Sequence, residues 1–193
     1  MADILILSTA DWDHPLWTNK QHLAVSLAAM GHRVVYVESL GIRVLRVKGG
    51  QDFLRIARRL LSLFCPLRLR QERIWVLSPP VIPGFVSGKG LWINQWILRV
   101  CLLIVSWRLR FRRVVLWTIN PFASRYLSLN SFVQTVSHCV DRIQAQPGMP
   151  IALLDAAERE LCGCVDAVSY THLRAHETKA NLVCRLLLEK KKK

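Results

Sequence analysis

The stretch that most constrains this fold is DILILSTADWDHPLWTNKQHLAVSLAAMGHRVVYVES, near the start of the chain. Asp3 to Ser8 is a short apolar run ending in small polar residues, the pattern of a strand buried on both faces. Thr18 followed by Gln21 fits a capping box and sets a helix start there. Ala24, Leu27, Ala28 and Met30 give that helix an apolar face, and Gly31 supplies its left-handed stop. Arg33 to Val37 is the next strand. A strand–helix–strand unit this short closes as a parallel crossover, so the chain is expected to be α/β: a Rossmann-like parallel sheet with flanking helices.

The loop between the first strand and the helix carries the chemistry. Asp11, Trp12, Asp13, His14, Trp17, Asn19 and Lys20 crowd the C-terminal end of that strand. In open α/β sheets this is the edge where ligands bind.

At 193 residues, 52% apolar and 21% charged, the chain is long enough to bury a sizeable core and too apolar for general disorder. The formal charge of +14 points at first to nucleic acid or an anionic membrane. Much of it sits at the C-terminus. Residues 168–193, VSYTHLRAHETKANLVCRLLLEKKKK, match what a Nextera-type sequencing adapter, an index and a flow-cell sequence encode in one frame, with the lysines from a run of A. Such a tail is set aside from fold reasoning. It holds seven of the 27 Lys and Arg and two of the 13 Asp and Glu, so the remaining 1–167 carries +9. Cys184, His172 and His176 leave with it as candidate ligands. The expectation is an incomplete N-terminal domain over 1–167, the front of a longer reading frame, followed by a non-native tail.

Cys65, Cys101, Cys139, Cys162 and Cys164 have irregular spacing and no C-x-x-C pair, which favours buried free thiols in a reducing cytosol over zinc or disulfides. The N-terminus enters a strand directly, with no signal peptide. Further along, Phe53, Ile56, Leu60 and Leu63 recur at helical spacing among Arg55, Arg58 and Arg59, and Arg68, Arg70 and Arg73 continue the charge. Such a helix suits either an anionic membrane surface or a sheet face with a solvated basic side. Ile74 to Leu77 is a third strand, stopped by Ser78-Pro79-Pro80, and the loop through Pro83, Gly84 and Gly88 is broken.

Leu91 to Trp107 is the most hydrophobic stretch, but Asn94, Gln95 and Arg99 interrupt it well short of the roughly 20 unbroken apolar residues of a transmembrane helix. Trp92, Trp96 and Trp107 with Arg108, Arg110, Arg112 and Arg113 form either an interfacial belt or a core helix with a basic C-terminal end. It is monotopic at most. Val114 to Thr118 is the fourth strand, Asn120-Pro121 starts a short helix with Arg125 and Tyr126, and Phe132 to Cys139 is the fifth strand. Ile151 to Leu161 is a helix, and Cys164 to Ala167 begins a sixth strand.

A parallel sheet brings Asp11 to His14, Glu38 to Gly41, Ser78 to Pro80, Asn120, and His138 to Asp141 to one edge. Aromatic platforms beside carboxylates and a histidine suit a sugar, whose ring stacks on indoles while its hydroxyls bond to acids and amides. Asp11, Asp13 or Asp141 is either a general base toward an acceptor hydroxyl or a hydrogen-bond anchor, and His14 suits both jobs. His32 reads as a turn residue. No G-x-G-x-x-G follows the first strand, and no P-loop, nucleophile elbow or metal-ligand cluster is present. No metal and no cofactor are expected in this part of the chain.

DWDHPLWTNKQHLAVSLAAMGHRVVYVES is similar to the opening of bacterial GT-B glycosyltransferases of the group-1, family-four-like type, with W-T-N-K-Q-H where many relatives have a Gly-Gly turn. RIWVLSPPVIP, VVLWTINPFA, VSHCVDRIQAQPG and AERELCGCVDAV resemble further landmarks, so the likeness covers about residues 2–167. It implies two Rossmann-like domains facing a cleft, of which this chain holds the N-terminal, acceptor-side one. Trp12, Trp17, Asn19, Lys20, Glu38, Asn120 and His138 then become acceptor-binding candidates, and Asp11, Asp13, His14 and Asp141 catalytic ones.

The nucleotide-sugar donor is expected mainly on the missing C-terminal domain, which leaves this part alone inactive. The implied partner is a sugar or glycolipid acceptor in cell-surface glycan synthesis, at a cytoplasmic location peripheral to the inner face of the cell membrane. An anionic membrane surface is the second expected partner, and nucleic acid is not. The rival class is a non-enzymatic Rossmann-like module that docks anionic lipid or a partner through Arg55, Arg58, Arg59 and the 108–113 arginines.

Overall fold

A computed structural model describes residues 1–40, 67–81, 88–139 and 151–170. The expected helix around Phe53 to Leu63, Cys65 and Asp141 lie outside the described residues. In chain order the elements are β1 (Asp3–Leu7), α1 (Asn19–Ala29), β2 (Arg33–Val37), β3 (Leu67–Gln71), β4 (Ile74–Leu77), α2 (Gly88–Leu109) and β5 (Val114–Thr118). Then follow α3 (Ala123–Tyr126), a 3-10 turn (Leu129–Ser131), β6 (Gln134–Cys139), α4 (Ile151–Cys164) and β7 (Ala167–Tyr170).

The strands form one sheet in the order β3-β4-β2-β1-β5-β6-β7. Every neighbouring pair is parallel except β3 with β4. The six parallel strands therefore follow the doubly wound order, in which the winding starts at the middle of the sheet and runs out in both directions. Its reversal lies between β1 and β5, and the crevice above their C-terminal ends is the ligand position in sheets of this order. The Rossmann-like α/β sheet expected from the sequence is the fold found.

Strand alternation divides the core into two layers. Ile4, Ile6, Val34, Tyr36, Ile74 and Val76 pack on the α1 side with Ala24 and Leu27. Leu5, Leu7, Val35, Val37, Leu77 and Leu116 pack on the other side with Leu98 and Val105 of α2 and Leu154, Ala157 and Leu161 of α4. Such two-sided burial is why β1 and β2 read as unbroken apolar runs.

The capping box at Thr18 is present. Gln21 Oε1 accepts from the Thr18 backbone N–H at 3.0 Å and from its hydroxyl at 2.8 Å. Gly31 has φ +89, the left-handed stop after α1. Met30, expected on the core face, is instead 72% exposed. It is the cap residue just past the last helical turn, so the α1 contact is made by Gln21, Ala24 and Leu27.

At the opposite edge of the sheet, Arg33 ties three elements together. It pairs with Asp3 at 2.6 Å, donates to the Leu109 carbonyl at 2.9 Å and lies over the Phe111 ring at 4.6 Å. The Leu109 carbonyl is one of the orphan acceptors at a helix C-terminus, where a cation is favoured.

Three further expectations need correcting. Leu67–Gln71, read only as continuing basic charge, is an antiparallel edge strand with a bulge between Leu69 and Gln71. The last strand starts at Ala167 rather than Cys164, because α4 runs on to Cys164. Asp166 fills the gap: its Oδ2 accepts from the Thr135 backbone N–H at 2.7 Å and hydroxyl at 2.8 Å. The described cysteines are free thiols as expected, but Cys164 is exposed and Cys101, Cys139 and Cys162 are only half-buried.

Candidate functional site

The loop from Ser8 to Thr18 sits at the C-terminal edge of β1 and is held from below. Tyr36, fully buried on β2, shares a 2.7 Å hydrogen bond with Ser8 Oγ and donates to the Ala10 carbonyl at 3.0 Å. Its phenol is pushed above the ordinary tyrosine range, chiefly by burial. Gln21 adds a bond from Nε2 to the Asp11 carbonyl at 3.1 Å. Glu38, at the end of β2, accepts from the Trp12 backbone N–H at 2.9 Å and from the Ser78 hydroxyl. The loop is thus anchored to β2, to the end of β4 and to the first turn of α1.

Its candidate side chains divide by exposure. Trp12 is 5% exposed and belongs to the core, edge-on to Tyr36 with ring centroids 5.1 Å apart. Trp17 lies 5.3 Å from Trp12 and keeps 43% of its surface open, so it is the indole available for stacking. Asp11, His14 and Asn19 are exposed, and Lys20 is half-buried. His14 Nδ1 lies 3.0 Å from the Leu16 carbonyl and 3.2 Å from its N–H, a contact within the loop itself. His32 Nδ1 accepts from the Ala2 N–H at 3.1 Å on the opposite edge of the sheet.

Asp13 does not stand alone. It pairs with Arg70 at 2.5 Å and approaches Arg68 at 3.8 Å. Arg68 in turn donates to Ser78 Oγ at 3.0 Å and lies 3.8 Å from Glu38. The edge strand β3 therefore lays two guanidinium groups along the loop's acidic side. Sequence reasoning missed these two residues as part of the site. The signal was present in the period-two alternation of Leu67-Arg68-Leu69-Arg70, which puts both arginines on one side of a strand.

Asn120 and His138 lie on the other half of the edge, past the winding reversal. Asn120 is fully buried just after β5, where its Oδ1 accepts from the Phe122 N–H at 2.9 Å and so starts α3. Its Nδ2 donor has no partner among the described residues. Nearby, Tyr126 of α3 has its phenol pushed up to about 12 by burial.

His138, near the end of β6, accepts from Trp117 Nε1 at 3.2 Å through Nδ1. That bond places the proton of the neutral ring on Nε2, which is buried without a partner among the described residues. Among the described residues no group of three His, Cys, Asp or Glu is arranged to hold a metal ion.

Burial lowers the His138 pKa from its ordinary 6.5. The unfolded chain then takes up the proton first as pH falls, so the contribution of His138 is fully present above about pH 6.5 and is lost below it. Thermal melts of the full chain should drop between pH 7 and pH 5, and His138→Gln should flatten that drop. An unchanged slope in the variant would show that the ring does not titrate against the fold.

The chain matches a solved sucrose-phosphate synthase from Thermosynechococcus elongatus with a TM-score of 0.53 and 12% identity, over 87% of this chain. It spans only 42% of that synthase. A second sucrose-phosphate synthase structure from the same organism matches with a TM-score of 0.49 and 10% identity, over 97% of this chain and 96% of that one. No family model matches the chain, and no curated protein matches it. At such identity the likeness is one of fold.

Proposed function

We propose that this chain is the acceptor-side domain of a GT-B-type glycosyltransferase, and that 1–167 is the native part of it. The observation that carries the reading is the parallel sheet whose winding reverses beneath a loop of exposed acid, amide and indole groups. The fold likeness to a sucrose-phosphate synthase, itself a protein named for making a sugar phosphate ester, supports it.

In this reading the acceptor sugar stacks on Trp17 and bonds to Asp11, His14 and Asn19, with Lys20 at the rim. Trp12 and Glu38 act from beneath by fixing the loop, and the Asp13 pair with Arg70 and Arg68 sets its position. Asp11 is the exposed carboxylate best placed to take the proton of an acceptor hydroxyl, with His14 as the second candidate. Asn120, fully buried, and His138, with its Nε2 buried, keep their places as candidates beneath the far half of the edge. Asp141 keeps its place as a candidate from its position after β6. The donor, a nucleotide-sugar, is held by a second α/β domain, and the acceptor is a cell-surface glycan or glycolipid made on the cytoplasmic side.

The test begins with the source reading frame beyond the codon for Ala167, which should encode a second α/β domain. The full-length protein should then release nucleoside diphosphate from one of a panel of nucleotide-sugars in the presence of acceptor. Asp11→Asn should lower that turnover by about 10²–10⁴, the usual contribution of a general base. A reading frame with no second domain, or a full-length protein that turns over no donor, sinks the proposal.

A further inference from the structure

The helix α2 is apolar on two opposite sides, and the sheet accounts for only one. Asn94, Leu98 and Val105 face the core at 0%, 0% and 3% exposure. On the far side Trp92, Trp96, Leu103 and Trp107 recur in register with the helical turn, 61–83% exposed, with Ile93 and Ile104 along one flank. At helical rise the stripe from Trp92 to Trp107 runs about 22 Å. A helix on the surface of a globular domain normally presents charged residues there, and contiguous apolar surface of this kind marks an interaction site.

The charge around the stripe has one sign. Helical geometry puts Arg99 on one flank and Arg108 on the other, and Arg110, Arg112 and Arg113 follow at the C-terminal end, all exposed. Among the described residues none of these five arginines forms an ion pair. The helix itself contains no Asp or Glu.

We propose that this face of α2 rests on an anionic lipid bilayer, with the helix lying in the interfacial plane. The indoles sit at headgroup depth, where an amphipathic ring is favoured, and the arginines bond to lipid phosphates. By length and composition Gly90–Leu109 is apolar enough to cross a membrane. Crossing would pull Asn94, Leu98 and Val105 off the sheet and break the 2.5 Å bond from Gln95 Nε2 to the Arg125 carbonyl. A second copy is a poor occupant, because like faces brought together align cationic flanks with no acid on either helix to meet them.

The experiment uses the full chain with vesicles of equal parts phosphatidylglycerol and phosphatidylcholine, and with phosphatidylcholine alone. Co-sedimentation should occur with the anionic vesicles at low salt, and brominated lipid should quench the tryptophan fluorescence of the bound chain. Replacing Trp92, Trp96 and Trp107 together by Gln should weaken partitioning by at least roughly tenfold. Each of Arg108→Gln, Arg110→Gln, Arg112→Gln and Arg113→Gln should weaken it by roughly fivefold. The C-terminal lysines are common to all these chains, so the differences read the α2 face alone.

Quenching in the unaltered chain tests indole depth without any variant having to fold. Binding unaffected by the tryptophan changes, absence of quenching, or a dimer that those changes dissolve would each overturn the proposal.

Discussion

Tyr36→Ala should cost the domain about 3–5 kcal/mol in urea unfolding, the usual range for emptying a large aromatic site in a core. The ring is fully buried between β2 and the opening loop, and its hydroxyl serves both Ser8 Oγ and the Ala10 carbonyl. A domain has about 5–15 kcal/mol in hand, so this one change takes a large share of it. Tyr36→Phe separates the two contributions. It keeps the packing and removes one partner each from Ser8 Oγ, which retains the Ala10 N–H, and from the Ala10 carbonyl, at about 1–3 kcal/mol. Equal stability of Tyr36→Phe and the unaltered chain would mean that packing alone holds the loop.

Glu38→Ala should be the second most damaging, at about 2–4 kcal/mol, because it strips partners from a backbone N–H and a hydroxyl and leaves Arg68 beside an empty position. The carboxylate side chain is only 12% exposed, so water replaces it poorly. The loss should be local as well as global. Limited proteolysis should cut faster in the exposed run from Asp13 to Trp17, and Trp12 emission should shift to the red as its ring leaves the core. Asp13→Ala is the contrast. Its ion pairs are exposed, with 57% of the Asp13 side chain open, and such pairs contribute about 0–1 kcal/mol. If Glu38→Ala were no worse than Asp13→Ala, the anchoring role given to Glu38 would be wrong.

The sheet was legible wherever burial on both faces leaves a continuous apolar run. Arg33–Val37, Ile74–Leu77 and Val114–Thr118 have the bounds expected from their residues. It was not legible at Leu67–Gln71, an edge strand whose outer residues are solvated, so its side chains report charge more loudly than strand. In the site, the sequence located the loop and its company of acids, but not the division of labour within it. Trp12 and Trp17 are the same residue type five positions apart, and nothing in their spacing tells which enters the core. Only the position of Tyr36 beneath the loop decides it. Glu38 is a similar case: a carboxylate at a strand end looks like a ligand for substrate, and two loop donors claim it first.

The far edge of the sheet has its own consequence. β7 pairs with β6 through Ala167 to Tyr170, and all but the first of these residues belong to the stretch proposed above to be non-native. The seat beside β6 therefore accepts an occupant by its backbone donors and acceptors, whatever the origin of its side chains. Such a seat is exchangeable. A longer chain with a different continuation after Ala167 would seat another strand there, and a chain ended at Ala167 would leave β6 with a bare row of N–H and C=O groups. That row is a template for strand donation between molecules. How the chain continues after Ala167 thus bears on whether the domain stays monomeric.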